Sequence, residues 1–85
     1  MKIKIVFTKH ALNKFNVLRK HKFLISESMV IDTLKNPDLI DHSRLPLLIA
    51  QRKIDRSHVL RVVYKEERGN LKVITFYPGR IKNYA

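Results

Sequence analysis

The sequence contains no cysteine, which excludes disulfides, thiolate zinc sites and cysteine nucleophiles. A chain of 85 residues without such staples must rest on packing alone, and the absence fits a reducing compartment. Glycine occurs twice and proline three times. No flexible linker is therefore expected, and residues 1–85 read as a single domain. Long apolar runs are missing too. The longest, Leu45 to Ala50, is six residues, far short of a bilayer span. Lys2 and Lys4 break up the N-terminal apolar residues, unlike a signal sequence. Together these absences predict a soluble, cytoplasmic protein with no membrane partner.

Acidic residues are scarce. Seven Asp and Glu stand against 18 Lys and Arg, a net charge of +11. Such a field attracts polyanions. Residues 1–26 hold seven Lys or Arg and no acid, and residues 68–85 hold four and no acid. All the acids lie between, so a fold that joins the two ends would make one basic face without local neutralisation. A lysine-rich surface of the heat-adapted kind would bring glutamate with it, and Glu is scarce here.

Hydrophobic residues make up 45% of the chain, which suits a packed domain. Residues 2–7 alternate in period two and read as a strand, with Ile3 and Ile5 inward and Lys2 and Lys4 outward. Thr8 is placed to cap a helix running to about Lys20, with Ala11, Leu12, Phe15 and Leu18 on its buried face. Ser26 should cap a second helix, buried through Met29, Val30, Thr33 and Leu34 and ended by Asn36-Pro37. Residues 38–46 read as a connection. Strand patterns follow at about 47–54, 59–65 and 71–77, separated by Asp55-Arg-Ser57 and by a Gly-Asn turn signal at residues 66–70. Pro78-Gly79 should end the last strand, leaving Arg80 to Ala85 as a basic tail. The order is β-α-α-β-β-β, an α+β domain with a four-stranded antiparallel sheet carrying two helices on one face.

Strand parity sorts the residues able to do chemistry. Arg61 shares a face with Val59 and Val63, Tyr64 with Leu60 and Val62, and Arg52 with Leu48 and Ala50. Simple alternation puts Leu71, Val73, Thr75 and Tyr77 on one side of the last strand and Lys72, Ile74 and Phe76 on the other. Arg61 interrupts an otherwise apolar strand, and a cation there must reach water, an anion or a partner.

Metal-independent RNA cleavage needs a base for the 2′-OH, cations for the phosphorane and an acid for the leaving 5′-oxygen. His10, Lys14, Arg61, Tyr77, Arg80 and Tyr84 are of the right types. Plainer roles stand beside these. His10 and Lys14 suit a solvated helix face, Thr75 suits a strand, and Tyr64 suits the core. Arg61 could pair with Asp55, Glu66 or Glu67. His21, His42 and His58 read as ordinary surface histidines. The histidine spacings form no zinc motif, and neither metal nor cofactor is expected.

Four segments taken in order carry a resemblance: Phe7-Thr-Lys-His-Ala11, the Ser26-capped helix ending Leu34-Lys-Asn-Pro37, Leu60-Arg-Val-Val-Tyr64, and Val73-Ile-Thr-Phe-Tyr-Pro78. They resemble the RelE/BrnT-like toxin superfamily, nearest to its small members that open with a His-Ala helix. The resemblance covers almost the whole chain. It implies a RelE-like fold and a metal-independent endoribonuclease paired with a neutralising antitoxin, here expected to be acidic. RNA, free or ribosome-bound, would be the substrate. The catalytic candidates it implies are His10, Arg61, Thr75, Tyr77 and Arg80, with Lys9, Lys14, Arg52, Lys82 and Tyr84 as candidates for RNA contact. Lys14 stands where the superfamily usually carries arginine, which loosens a phosphate contact. ParE-like members of the same superfamily act on DNA gyrase, so a non-catalytic binding module is the alternative expectation.

Overall fold

The computed structural model describes residues 3–22 and 24–83. Its elements run β1 (Ile5–Phe7), α1 (Lys9–Lys20), α2 (Glu27–Lys35), β2 (Leu39–Asp41), β3 (Leu48–Lys53), β4 (His58–Glu67) and β5 (Asn70–Arg80), then a 3-10 turn at Ile81–Asn83. The fold is α+β, with two α-helices and a five-stranded mixed sheet in the order β1-β5-β4-β3-β2.

Both helices start where the sequence provides a cap. The Thr8 hydroxyl accepts from the Ala11 N–H at 3.1 Å, and the Ser26 hydroxyl accepts from the Met29 N–H at 3.2 Å. Each satisfies a donor that has no intrahelical partner. α1 buries Ala11 and Leu18, with Phe15 packed against the core. Leu12 is 46% exposed, contrary to expectation. It stands about 100° around the helix from Ala11, outside the stripe formed by 11, 15 and 18. α2 buries Val30 and Thr33, and the Thr33 hydroxyl donates back to the Met29 carbonyl at 2.8 Å. Both helices pack with Leu60, Val62, Val73 and Phe76 into one core. Phe15 links the layers, its ring centroid 4.5 Å from Phe76 and 6.0 Å from Phe7.

Several sequence expectations need correction. A fifth strand, β2, lies in the segment read as a connection and pairs antiparallel with β3. Three residues are too few to show a period. The sheet is mixed rather than antiparallel, because β1 pairs parallel with β5. β1 reaches β5 through the helix layer, and no hairpin fixes its direction. Ile3 is 65% exposed. Ile5 lies opposite Leu71, so Ile3 falls level with the β4–β5 turn, past the end of the sheet. Lys2 lies outside the described residues. Glu66 and Glu67 belong to β4 rather than to the turn. The connection is the two-residue Arg68-Gly69, with φ of 52° and 82°, the doubly positive pair that a type I′ hairpin demands. β5 continues through Pro78 and Gly79 to Arg80. Its pairing with β1 covers only Leu71 to Val73, so Pro78 removes no ladder donor to β1.

The most consequential correction is a β-bulge. Val63 lies opposite Thr75 and Tyr64 opposite Val73, leaving Ile74 as an extra residue on β5. Thr8 holds this bulge: its hydroxyl donates to the Ile74 carbonyl and its N–H to the Val73 carbonyl, each at 3.1 Å. The extra residue reverses side-chain parity along the strand. Val73 and Phe76 both face the helices, while Thr75 and Tyr77 turn to the opposite side.

One hydroxyl thus caps α1 and ties it to the bulge. Replacing Thr8 with Val keeps the shape and removes both bonds. Urea denaturation should show a loss of about 1–2 kcal/mol, with Thr8→Ser retaining most of the stability. Unchanged stability in Thr8→Val would contradict this role.

Candidate functional site

The sheet face away from α1 and α2 carries a polar cluster at its centre. Gln51, Arg61 and Tyr77 lie directly opposite one another across β3, β4 and β5. Arg61 is only 6% exposed, as is Gln51. Arg61 Nε donates to the Tyr77 hydroxyl at 3.1 Å, Nη1 donates to Gln51 Oε1, and Nη2 donates to Asp41 Oδ2 at 2.9 Å. A guanidinium fixed at three nitrogens is a rigid fork with its plane set by the sheet.

Asp41 supplies the counter-charge from β2, its side chain 27% exposed. Its other oxygen accepts the Ser43 N–H at 2.8 Å. Hydrogen bonds from Ser43, and then the Arg61 guanidinium, hold its carboxyl well below the usual carboxylate range. The ion pair anticipated for Arg61 with Asp55, Glu66 or Glu67 is therefore made with Asp41. Among the described residues no buried side-chain nitrogen or oxygen lacks a hydrogen-bond partner.

The ten sequence candidates separate in space. Arg61 and Tyr77 are in contact, and Thr75 joins them on the same face by register with Val63. Lys9, His10 and Lys14 lie on α1, in the layer on the other side of the sheet, with Lys9 and His10 exposed. Arg52 faces the helices, opposite Leu60, and its Nη1 donates to the Asn36 carbonyl at 2.6 Å. Asn36 is the C-cap of α2, where a cation meets the negative end of the helix dipole. Arg80 stands at the end of β5 opposite His58 and shares a cleft with Lys82. Tyr84 lies outside the described residues. Tyr64 is buried in the sheet.

Sequence reasoning missed Asp41 and Asp55. Asp41 sits in the unrecognised strand, and no local pattern marks it. From the sequence Asp55 reads as part of a turn and as a candidate partner of Arg61, not of His58. Its Oδ1 accepts the Ser57 and His58 N–H groups, each at 2.8 Å, and lies 3.0 Å from His58 Nδ1. The backbone N–H of Ser57, followed by His58, lowers the Asp55 pKa. An Asp-x-Ser sequence is a recognisable side-chain-closed turn, but the histidine that follows gives no separate signal.

No described helix is long and apolar enough to cross a membrane. Among the described residues no group of three His, Asp or Glu side chains is arranged to hold a metal ion. The chain matches no protein-family model, and no curated protein or solved structure gives a significant match.

Removing Asp41 takes an ion-pair partner from a guanidinium that is nearly buried, whereas removing Arg61 leaves a carboxylate that water can reach. Asp41→Ala should therefore destabilise the protein more than Arg61→Met in chemical denaturation. The pH dependence follows from the lowered pKa. Asp41 stabilises the fold above its ordinary value of 3.8 and stops doing so as pH falls through the lower folded-state value. The stability gap between the parent and Asp41→Asn should be widest near neutrality and close on acidification. A gap independent of pH would refute the pairing as a source of stability.

Proposed function

We propose that this protein is an RNA-directed domain of the RelE/BrnT-like toxin kind, acting as a metal-independent endoribonuclease on the sheet face of Arg61 and Tyr77. The observation that carries the reading is the meeting of an oriented guanidinium and a phenol hydroxyl on a sheet face that neither α-helix covers. Its setting adds support. β1 lies beside β5 with α1 packed on them, so these three elements, drawn from the two acid-free stretches of sequence, meet at one side of the molecule, with Glu66 and Glu67 of β4 at its border. That side attracts a phosphate backbone. The motif order Phe7-Thr-Lys-His-Ala11 to Val73-Ile-Thr-Phe-Tyr-Pro78 supplies the family half of the proposal.

In this reading the 2′-oxygen attacks phosphorus while the bond from phosphorus to the 5′-oxygen breaks. The 2′-OH proton passes to water. Tyr77 accepts the Arg61 Nε–H on its oxygen, which leaves its own O–H proton to be donated to the departing 5′-oxygen. Arg61, nearly buried and held by Tyr77, Gln51 and Asp41, acts on the growing charge of the non-bridging oxygens through its field and through the phenol it orients, and Thr75 flanks them. Arg80 has the parity of Phe76, not of Tyr77, and stands at the strand end, so it takes a neighbouring phosphate only where the RNA rounds the end of the sheet. The products are a 2′,3′-cyclic phosphate and a 5′-hydroxyl. His10, in the helix layer, has no part in these steps. An acidic antitoxin that folds on binding is the expected partner, and the cytoplasm the expected setting.

One observation favours a second reading. Asp41 offsets the Arg61 charge at 2.9 Å, which weakens its pull on phosphate. A non-catalytic module, binding nucleic acid or a protein such as gyrase, would keep that pair intact.

Incubating the protein with defined RNA in EDTA and mapping the ends separates the two. Cyclic-phosphate ends should form, and Tyr77→Phe should slow their formation by about a hundredfold or more while leaving the circular dichroism spectrum unchanged. No cleavage of free or ribosome-bound RNA by the parent would favour the binding module.

A further inference from the structure

A second cluster of cations lies at the end of the sheet, apart from Arg61. Arg56, Ser57, His58, Arg80, Ile81 and Lys82 line a surface cleft of about 540 Å³. Three of the six are cationic and none is a carboxylate. Two segments distant in sequence make it, and the backbone fastens them together. The Asp55 carboxylate closes the turn by accepting the Ser57 and His58 N–H groups. The Ile81 N–H then donates to the Ser57 carbonyl at 2.9 Å, docking the chain beyond β5 against that turn. The pairing of Arg80 with His58 at the strand ends completes the frame. Exposed cations from two segments are thus held at one place, with the Asp55 carboxylate bordering them through His58, and together they attract an anion.

The histidine is oriented as well. Asp55 meets the His58 ring at Nδ1, 3.0 and 3.1 Å from its two oxygens, so the carboxylate fixes the ring plane. With its lone pairs on Ser57, His58 and the imidazole, Asp55 is engaged within the turn and is not among the residues lining the cleft.

We propose that this cleft is a binding subsite for a phosphate group of RNA, held by Arg56, Arg80 and Lys82 with His58 beside them. The inference rests on the nucleic-acid half of the function proposed above and not on cleavage. Arginine forks suit phosphate oxygens, and Ile81 gives the cleft an apolar wall for a sugar. Counted from Arg61, His58 is three residues along β4, about 10 Å at strand rise, and that odd step puts His58 and its partner Arg80 on the helix side of the sheet, with Leu60 and Phe76. The subsite would therefore grip a phosphate where the RNA strand rounds the end of the sheet, not the one at Tyr77.

The test uses the full chain and needs no turnover. Inorganic phosphate is titrated against the labelled protein by amide NMR. The Ser57, His58, Ile81 and Lys82 amides should shift along a saturating curve. The double variant Arg56→Gln/Arg80→Gln should weaken that binding by about tenfold or more, whereas Lys35→Gln, on α2, should not change it. In a second arm, 2′-O-methyl RNA with either a 5′-phosphate or a 5′-hydroxyl is bound to both proteins. A preference for the 5′-phosphate that the double variant loses assigns a terminal phosphate. Equal weakening of both RNAs assigns an internal phosphodiester. Phosphate binding that the double variant leaves intact, or weakened phosphate binding with RNA affinity unchanged (an adventitious ion only), overturns the subsite. If the parent binds no RNA, the functional reading fails, and with it the assignment of this cleft to RNA.

Discussion

One extra residue on β5 decides what each face of this sheet can do. Without the bulge at Ile74, strict alternation would put Tyr77 on the side of Val73 and turn Phe76 outward. With it, Phe76 closes the core against Phe15, and Tyr77 meets Arg61 across the strands. The bulge is held from the helix layer by Thr8, which also starts α1. The helix start, core closure and polar cluster therefore depend on the same few hydrogen bonds. A register slip here would expose an aromatic and separate the arginine from its phenol in one step.

Burial sets the second constraint. A guanidinium at the centre of a sheet needs partners for its N–H groups and something to balance its charge. Tyr77, Gln51 and Asp41 meet that need from three different strands. β2 is short and at the edge of the sheet, yet it brings the carboxylate that makes Arg61 tolerable. The remaining cations gather differently. The parallel contact of β1 with β5 joins two acid-free stretches; Glu27, Asp32, Asp38 and Asp41 lie on α2, on β2 and on the link between them, while Glu66 and Glu67 border that side from β4, with Glu67 paired to Lys65. The proposed role in RNA cleavage draws on both features, the oriented arginine for chemistry and the basic side for attraction.

Much of this was legible because local chemistry announced it. Thr8 and Ser26 cap helices wherever their hydroxyls meet free N–H groups, and Pro37 cannot continue a helix. Arg61 in an apolar run pointed to a buried cation, and alternation on β3 and β4 gave its face correctly. The misses have physical causes. A three-residue strand has no period to detect. A bulge without glycine or proline leaves no mark in the sequence, since Ile74 looks like any strand residue. The direction of β1 is a tertiary choice made by packing under α1. Asp41 and His58 acquire their roles only through neighbours distant in sequence or through a turn that folds back on itself. Arg52, which looked available to RNA, is engaged at the end of α2.

The central claim is that RNA lies across the Arg61–Tyr77 face and the adjoining basic side. Hydrogen–deuterium exchange with a non-cleavable 2′-O-methyl oligoribonucleotide tests it most directly. The account predicts added protection in β4 and β5 around residues 59–63 and 75–80, extending to β1, with α2 unaffected. Protection confined to α2 and β2, or none at RNA concentrations that saturate binding, would contradict it.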